Sequence, residues 1–596
     1  MGQYQLLIDQ YPILLLIAGL VFFLFGMSTM SSNLEKMAGG RLETTLKKVT
    51  AKPILGLILG TTITTVIQSS SATTVILVGL VNSGLMQFAQ TLPVIFGANI
   101  GTTFTAWILS LSGVESSNVI VQMLKPINFC PILALLGTVA LMFSKGDRKR
   151  SVGTVAIGFA LLMYGMELMS IAVEPLTKLD GFEAVVTRLN NPVVGLLVAM
   201  VFTAVIQSSS AATGILQALA LTGIIPYSAA IPMVMGINIG TCITSVIAGI
   251  GTNVNARRVA GVHITSNVIA ACVFLPLYLI FNGIFQWQFV DLPVTPFGIA
   301  IIHSVFNIGL TLLLMPFSKL LVKLVTLMIR DKKEAKGGKK KEKDVPFMLD
   351  ERLLRSPSIA ISECAEQTVR MSTMAHATLY TTFTVLYHYD ERIAAQILEQ
   401  EDWLDKMEDR LGTYLVPIGS QSLSAEDSRR VASMLHNIGD FERLGDHAVN
   451  LLKVSKEMHD KKIAFSESAK RELTVLMSAT TEILNMTEQA FREKNATLAK
   501  KVEPLEQVID HLITHIKSNH IDRLCAGDCT IELGFVLSDL LTNFERISDH
   551  CSNIAVSLIE LEHNSFDTHK YLNDVKTGNN EEFKRLYSEY HEKFAF

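Results

Sequence analysis

Over its first 328 residues the chain alternates long apolar runs with short polar clusters; from Asp331 onward it turns polar and charge-rich. No Asp, Glu, Lys or Arg occurs from Pro53 to Val114 or from Leu189 to Ala256. A helix that crosses a bilayer needs about 20 predominantly apolar residues. Runs of that kind predict spans near 12–33, 93–111, 119–143, 151–173, 232–250, 259–282 and 297–318. Two more runs, 53–84 and 192–223, are apolar around a central Gln-Ser-Ser-Ser. Each is too long for one simple helix and short for two full spans. Both therefore predict re-entrant hairpins broken at the serines, because non-helical backbone at membrane depth is tolerated only where it is buried in protein or lines a cavity.

The two broken runs are copies. Gln68-Ser69-Ser70-Ser71-Ala72 returns as Gln207-Ser208-Ser209-Ser210-Ala211, 139 residues on, and 12 of the 22 positions from Pro53 to Thr74 are identical at that offset. The segment Pro93 to Thr102, with Asn99-Ile-Gly-Thr102, returns at Pro232 to Thr241 with Asn238-Ile-Gly-Thr241, and Gly26/Gly165, Glu35/Glu174 and Asn128/Asn267 keep the register. Internal duplication of this kind marks a transporter built from structural repeats.

Charge in the loops orients the repeats. With the N-terminus outside, Lys36, Arg41, Lys47, Lys48 and Lys52 fall inside, as do Lys145, Arg148, Lys149, Arg150, Arg257, Arg258 and the basic run Lys332 to Asp344. The outside loops then hold Glu115, Glu174, Asp180, Glu183 and Asp291, with Lys178 and Arg188 as their positive residues. That is a positive-inside partition. Three spans separate the hairpins, so the first opens from the cytoplasm and the second from outside, and the serine clusters can meet at the midplane. The apolar run Tyr11 to Met30 has no basic residue before it, which predicts a retained span rather than a signal peptide. The net charge of −4 averages two unlike halves, and the seven cysteines show no Cys-x-x-Cys spacing, so neither a disulfide scaffold nor a thiolate zinc site is expected.

Serine hydroxyls both donate and accept hydrogen bonds. Set at a helix break, beside free N–H groups and the positive end of a half-helix, they form an anion site with no buried cation. Hydroxyl, amide and carbonyl oxygens in the same region suit a hard cation such as sodium. Gln68 and Gln207 can bridge the two tasks, and Asn99, Thr102, Asn238 and Thr241 sit at comparable depth on Gly-rich segments. Moving an anion inward opposes an inside-negative potential by about 2.3 kcal/mol per charge per 100 mV, which co-moving sodium offsets.

The paired Gln-Ser-Ser-Ser hairpins followed by Gly-x-Asn-Ile-Gly-Thr resemble the type II sodium-dependent phosphate cotransporter family over most of residues 10–320. The resemblance implies phosphate as substrate and sodium as coupling ion. It also implies phosphate contact by Gln68, Ser69, Ser70, Ser71, Gln207, Ser208, Ser209 and Ser210. Relatives extend the motif with Thr; here Ala72 and Ala211 follow, and Thr73 and Thr213 just beyond join Asn99, Thr102, Asn238 and Thr241 as candidate sodium ligands. His263-Ile-Thr-Ser-Asn267 and His303-Ser-Val-Phe-Asn307 also resemble family motifs and place His and Asn on one helix face at i, i+4, which reads as an interhelical hydrogen bond in preference to a proton-sensitive group. Lys125, near the outer end of its span, reads as a snorkelling lysine.

After the basic linker the patterns are helical. Asp440-Phe-Glu442-Arg443-Leu-Gly-Asp446-His447-Ala-Val-Asn450 returns 103 residues later as Asn543-Phe-Glu545-Arg546-Ile-Ser-Asp549-His550-Cys-Ser-Asn553. Glu442, Asp446 and Asn450 fall on one stripe, Glu545, Asp549 and Asn553 on another, and Asp440 continues the first pattern. Two such stripes facing each other in a bundle would line a metal site with carboxylates. The pattern resembles the PhoU family over roughly 355–565. The resemblance implies two three-helix bundles, a divalent or transition metal, and a link to control of phosphate uptake.

The expected fold is all-α: a polytopic membrane protein with two inverted repeats, each containing a re-entrant helical hairpin, plus a cytoplasmic helical bundle. The expected domains are 1–328 (repeats about 12–143 and 151–282, then a last span), a linker 329–350 and the tail 351–596. The expected function is sodium-coupled phosphate transport by alternating access in the plasma membrane of a bacterium, with a regulatory tail. Expected partners are phosphate, sodium and the bilayer, with a second copy of the chain and phosphate-regulatory proteins as candidates and no nucleic acid. The alternatives are a phosphate exporter, a carrier of another oxyanion, a non-transporting phosphate sensor and a membrane-tethered metalloenzyme. The last is disfavoured because the chain has no Ser-His-Asp spacing and no Gly-rich P-loop.

Overall fold

The computed structural model describes residues 11–38, 52–84, 86–113, 125–144, 146–176, 188–330, 349–421, 423–563 and 581–595. Arg41, Lys47, Lys48, Glu115, Lys145, Lys178, Asp180, Glu183 and the linker Lys332 to Asp344 lie outside the described residues, so that part of the charge partition has no structural counterpart here. The described residues are helical apart from an isolated bridge between Pro226 and Pro293, and they divide into two units, Met1–Ile359 and Ala360–Phe596.

In the first unit, α1 (Pro12–Ala38) packs along α6 (Asp147–Leu176). Their contact depends on glycine: a Cβ at Gly26 would lie 2.4 Å from the Leu162 nitrogen, and one at Gly165 2.3 Å from the Phe23 nitrogen. These two glycines are the 139-residue pair of the sequence, so the repeats meet through equivalent positions. Hairpin 1 is α2 (Pro53–Ile67) and α3 (Ser70–Asn82), followed by α4 (Phe88–Ser110). Hairpin 2 is α7 (Pro192–Ile206) and α8 (Ser209–Ala220), followed by α9 (Tyr227–Thr241) and α10 (Ile243–Gly249). Between the hairpins, α5 (Pro126–Phe143) packs on α6. The unit continues with α11 (Val254–Phe285), α12 (Pro296–Leu314) and α13 (Ser318–Met328).

Among the described residues, six helices are long and apolar enough to cross a membrane: 12–37, 88–113, 148–173, 227–249, 254–285 and 296–314. The expected span at 119–143 is the shorter helix α5, and residues 119–124 lie outside the described residues. Three helices begin before the expected 93, 232 and 259: the fourth at Phe88, where Gln87 and Gln90 form a capping box, the ninth directly after Pro226, and the eleventh at Val254, where the Asn253 side chain accepts from the Ala256 N–H.

The hairpins enter from opposite ends. Asn253, at the start of α11, donates its backbone N–H to Asn82 Oδ1 at the base of hairpin 1 (2.8 Å). Just past the other end of α11, the Val294 N–H donates to the Ile225 carbonyl at the base of hairpin 2 (2.8 Å). The helix between them is continuous over 32 residues, about 48 Å long at 1.5 Å per residue. The repeats are therefore inverted.

Each hairpin's first arm presses on the following helix with no side chain between. A Cβ at Gly60 would lie 2.1 Å from the Val94 carbonyl oxygen, and at a contact that both repeats share a Cβ at Gly97 would lie 2.1 Å from the Leu57 oxygen and one at Gly236 2.1 Å from the Leu196 oxygen. Glycine at such contacts lets helix backbones approach closely in a membrane, where packing drives association.

A short strap closes this unit. Asp350 caps a 3-10 turn (Glu351–Arg355), its carboxylate accepts from Asn82 Nδ2 (2.8 Å), and Arg352 donates to the Ile250 carbonyl. Leu353 is fully buried against Gly79 of α3.

In the second unit, α14 (Pro357–Val385), α15 (Glu391–Gly419) and α16 (Ala425–Lys461) precede α17 (Glu467–Glu493), the one-turn α18 (Ala496–Ala499), α19 (Val502–Ala526) and α20 (Ile531–His563). The helix α21 (Glu581–Lys593) packs on α19. Phe383 against Phe544 (5.6 Å between ring centres) and Phe441 against Phe491 (5.0 Å) join the two helical triplets.

Replacing Gly60 or Gly236 with Val is expected to separate arm from helix and to cost at least about 1–3 kcal/mol of overpacking. Gly283→Ala, where a Cβ meets nothing within 4 Å, should leave the melting temperature in detergent unchanged or raise it. Equal melting of all three variants would refute the packing account.

Candidate functional site

Both hairpins break in the same way. Helix α2 ends on Gln68 in the left-handed region (φ 59°, ψ 25°), its N–H bonded to the Thr64 carbonyl; α7 ends on Gln207 (φ 60°, ψ 23°), bonded to Thr203. Such a residue closes a helix by satisfying its last carbonyls. The next residue caps the following helix: Ser69 Oγ accepts from the Ala72 N–H (3.1 Å), and Ser208 Oγ from the Ala211 N–H (3.2 Å). The break thus occupies Gln-Ser alone, and the second and third serines form the first turn of the new helix. The first N–H groups of a helix have no acceptor within it. At Ser70–Ser71 and Ser209–Ser210 those N–H groups stand beside their own hydroxyls at a positive helix end, which is a site for an anion.

The two breaks differ in their surroundings. Gln68 is buried, its Oε1 accepting from the Thr105 hydroxyl (2.8 Å), and Ser31 of α1 donates to the Ile67 carbonyl; Gln207 is exposed. In hairpin 1 the arms are tied by Thr64 and Thr73 (3.0 Å). At the 139-residue offset Thr73 corresponds to Ala212, and Thr213 corresponds to Thr74. Thr73 and Thr213, expected together as sodium ligands, are therefore not symmetry mates. The Thr73 hydroxyl also donates to the Ser69 carbonyl, whereas Thr213 Oγ1 is buried without a hydrogen-bond partner.

Thr102 and Thr241 donate to the carbonyls of Ala98 and Ile237 in their own helices, and Asn238 Nδ2 donates to Val234, while Asn99 Nδ2 has no partner. A hydroxyl engaged in this way keeps lone pairs free for a cation. Sequence reasoning passed over Thr105, which holds Gln68, and Gln217 of α8, whose Nε2 donates to the carbonyls of Ala106 (3.0 Å) and Pro296 (2.9 Å). A buried Gln one helical turn past Thr213 was the available signal. His263 forms the expected interhelical bond, with Ser245 of α10 (3.1 Å); His303 forms none. Lys125 lines a cavity of about 200 Å³ with Ser112, Tyr164, Glu167 and Ser170.

In the tail the two acidic stripes do not come together as a shared site. Glu545 pairs with Lys517 (3.6 Å), Asp549 with Arg546 (3.6 Å), and Asn553 is exposed. The bonds that join α16 to α20 include Asp440 Oδ1 with His550 Nδ1 (2.9 Å), His447 Nδ1 with Asn543 Oδ1 (2.8 Å) and Ser433 with Ser557 (2.8 Å). Asp446 pairs with Arg443 (3.5 Å) as Asp549 does with Arg546, but it also meets Glu401 and Asp405 of α15, with one ligand atom from each within 4.8 Å of the others. Burial and then Asp446 raise the Asp405 carboxyl, burial and then Asp405 raise Glu401, and burial with Asp446 pushes Glu442 up to about 6. Asn450, one turn beyond Asp446, accepts from Lys453 (3.2 Å). Carboxylates crowded until their ionisation is disfavoured fit an oxygen-liganded divalent cation, which would supply the missing positive charge.

Comparison with known proteins follows the same division. A family profile described as Na+/Pi-cotransporter matches residues 22–171 and 161–313, and one described as PhoU domain matches 368–454 and 473–558. The chain is 24% identical over 551 residues to the "Putative inorganic phosphate export protein YjbB" of Salmonella typhimurium, covering 91% of this chain and 97% of that protein. It is 31% identical over 311 residues to the uncharacterized protein YqeW of Bacillus subtilis (52% of this chain, 96% of that one). It is 24% identical over 191 residues to a PhoU homolog of Thermotoga maritima described as a phosphate-specific transport system accessory protein (32% and 81%).

Purified protein loaded with manganese is expected to lose tail-bound metal in Asp405→Asn with Asp446→Asn, and to keep it in Glu545→Gln with Asp549→Asn. Elemental analysis showing the reverse order would move the site to the second stripe.

Proposed function

Because the chain belongs to the Na+/Pi-cotransporter family and carries two PhoU domains, we propose that it is a multi-pass, sodium-coupled phosphate transporter working by alternating access, with the tail as its regulator. The observation that carries the reading is the pair of inverted hairpins whose Gln-Ser breaks have the same backbone geometry and opposite exposure. Equivalent halves held in unequal environments are what a rocking transporter needs, since exchanging the two environments moves access from one face to the other. Ser70, Ser71, Ser209 and Ser210 contact phosphate through N–H and hydroxyl, and Ser69 and Ser208 hold the breaks in shape. Gln68 and Gln207 orient the tips. Asn99, Thr102, Asn238, Thr241, Thr73 and Thr213 supply oxygens to sodium. Glu401, Asp405, Glu442 and Asp446 hold the tail's metal. The positive-inside partition supports an outside N-terminus and a cytoplasmic tail.

Regulation reaches the membrane domain through the strap. Asp350 and Leu353 are buried against hairpin 1, and the chain continues through Pro357 into the first helix of the tail. A hairpin pinned at its base moves less, so the strap restrains transport.

A second reading is phosphate export, supported by the name of the relative from Salmonella. Physics separates the two. An inside-negative potential opposes anion uptake by about 2.3 kcal/mol per charge per 100 mV and favours export by the same amount. Uptake therefore needs sodium and export does not.

In proteoliposomes, labelled phosphate should accumulate against an inside-negative potential when a sodium gradient is imposed and fail to do so without one; flux indifferent to sodium would reject symport. Ser70→Ala with Ser209→Ala should lower flux by about tenfold or more, at about 1–3 kcal/mol for charged hydrogen bonds lost. Asp350→Ala should raise it, and unchanged flux in that variant would remove the strap from regulation.

A further inference from the structure

The helix α12 carries a histidine that the transport site as described does not use. His303 is 1% exposed, and neither ring nitrogen has a hydrogen-bond partner. At 100° per residue it lies opposite the exposed Ile301, Val305, Ile308 and Leu312. On one flank Ser304 accepts from Trp107 Nε1 of α4 (2.9 Å); on the other Phe306 packs edge-on against Phe274 of α11 (5.9 Å). The imidazole therefore projects between α4 and α11, into the interior of the domain.

Register gives its depth. The helices α4 and α12 run antiparallel, with Gly113 against Pro296 and Trp107 against Ser304. Counting along both helices brings His303 level with Ala106 from the first contact and with Ile108 from the second, within a turn of Thr105, whose hydroxyl holds Gln68 at the break of hairpin 1. Hairpin 2 reaches the same layer. Gln217 bridges the carbonyls of Ala106 and Pro296, Gly214 packs on Leu109, and one turn further along α8 stands Ser210.

The layer also holds unsatisfied acceptors. Two carbonyls can take hydrogen bonds only from an amide N–H, so the Gln217 amide is fixed by its surroundings and its Oε1 is left free. That oxygen and Thr213 Oγ1, one turn away, are buried without partners, at 0% and 2% exposure. A neutral imidazole adds one donor and one acceptor. Buried polar groups are retained unpaired where a ligand completes them.

The serine breaks are donors and suit the charged oxygens of any tetrahedral oxyanion. The acceptors are selective. Phosphate near neutral pH carries a proton on at least one oxygen, and sulfate carries none. We propose that His303, with Gln217, is the specificity-determining edge of the site: its acceptor nitrogen and the Gln217 Oε1 receive the P–OH of hydrogenphosphate while Ser70, Ser71, Ser209 and Ser210 bind the charged oxygens. Arsenate, which carries the same proton, is admitted. Sulfate sets lone pairs against lone pairs and is excluded. Sites built to bond a hydroxyl reject analogues that lack it. This assignment rests on the phosphate-transport reading.

The test is competition in proteoliposomes containing the full chain, with melting-temperature shifts of the purified protein in phosphate, arsenate and sulfate as a readout that does not need transport. In wild type, arsenate should compete with labelled phosphate and shift melting about as well as phosphate, with sulfate at least about 100-fold weaker. His303→Ala should lose roughly tenfold in phosphate affinity and narrow the phosphate-to-sulfate ratio by a similar factor, with His303→Gln, which keeps a donor and an acceptor, partly restoring the ratio. Sulfate exclusion unchanged in His303→Ala, by competition or by melting shift, overturns the assignment while leaving phosphate transport standing. A wild type that neither binds nor moves phosphate overturns the transport reading and this assignment with it.

Discussion

Backbone polar groups cannot be left unpaired at membrane depth, and the membrane domain depends on how its two helix breaks meet that constraint. A left-handed Gln and a capping Ser end one helix and start the next within two residues. One carbonyl in the last turn of the first arm, Thr64 or Thr203, accepts from the Gln N–H, and one orphan N–H of the second arm is closed by the Ser hydroxyl. What stays open is a pair of N–H groups and hydroxyls at a positive helix end. The same economy that makes the break tolerable leaves donors suited to an anion, and the duplication repeats that break in the second hairpin.

Symmetry is local and asymmetry lies in the surroundings. The breaks match within a few degrees, yet one glutamine is locked by Thr105 and the other is exposed. Ala212 in place of a second Thr73 removes the hydroxyl that ties the arms of hairpin 1 together. The halves of the duplication are therefore chemically unequal, and hairpin 2 has the fewer ties. The strap adds to this by holding hairpin 1 at its base.

The architecture was legible because it is written as period and repeat. Apolar run lengths gave the spans, the polar interruptions gave the hairpins, and the loop charges with three spans between the copies gave the inversion. The details that escaped depend on which faces meet. Glu442-x-x-x-Asp446 and Glu545-x-x-x-Asp549 look equivalent as text, but Asp446 turns to Glu401 and Asp405 on α15, whereas Glu545 turns to Lys517. No one-dimensional pattern assigns partners across a bundle. Thr105 and Gln217 escaped for the same reason, since each sits at an unremarked position on its own helix, and His303, read from the sequence as an interhelical hydrogen bond, acquires its further meaning through a depth shared with them. His263 and His303 share a His-x-x-x-Asn spacing, yet one finds a serine and the other finds nothing.

The central claim is that the two breaks form one phosphate site. The most direct measurement is an electron cryo-microscopy map of the protein with phosphate and sodium bound. The account predicts tetrahedral density touching the first turns of both α3 and α8, at Ser70–Ser71 and Ser209–Ser210. Density against one hairpin alone, or in a pocket remote from both breaks, would contradict it.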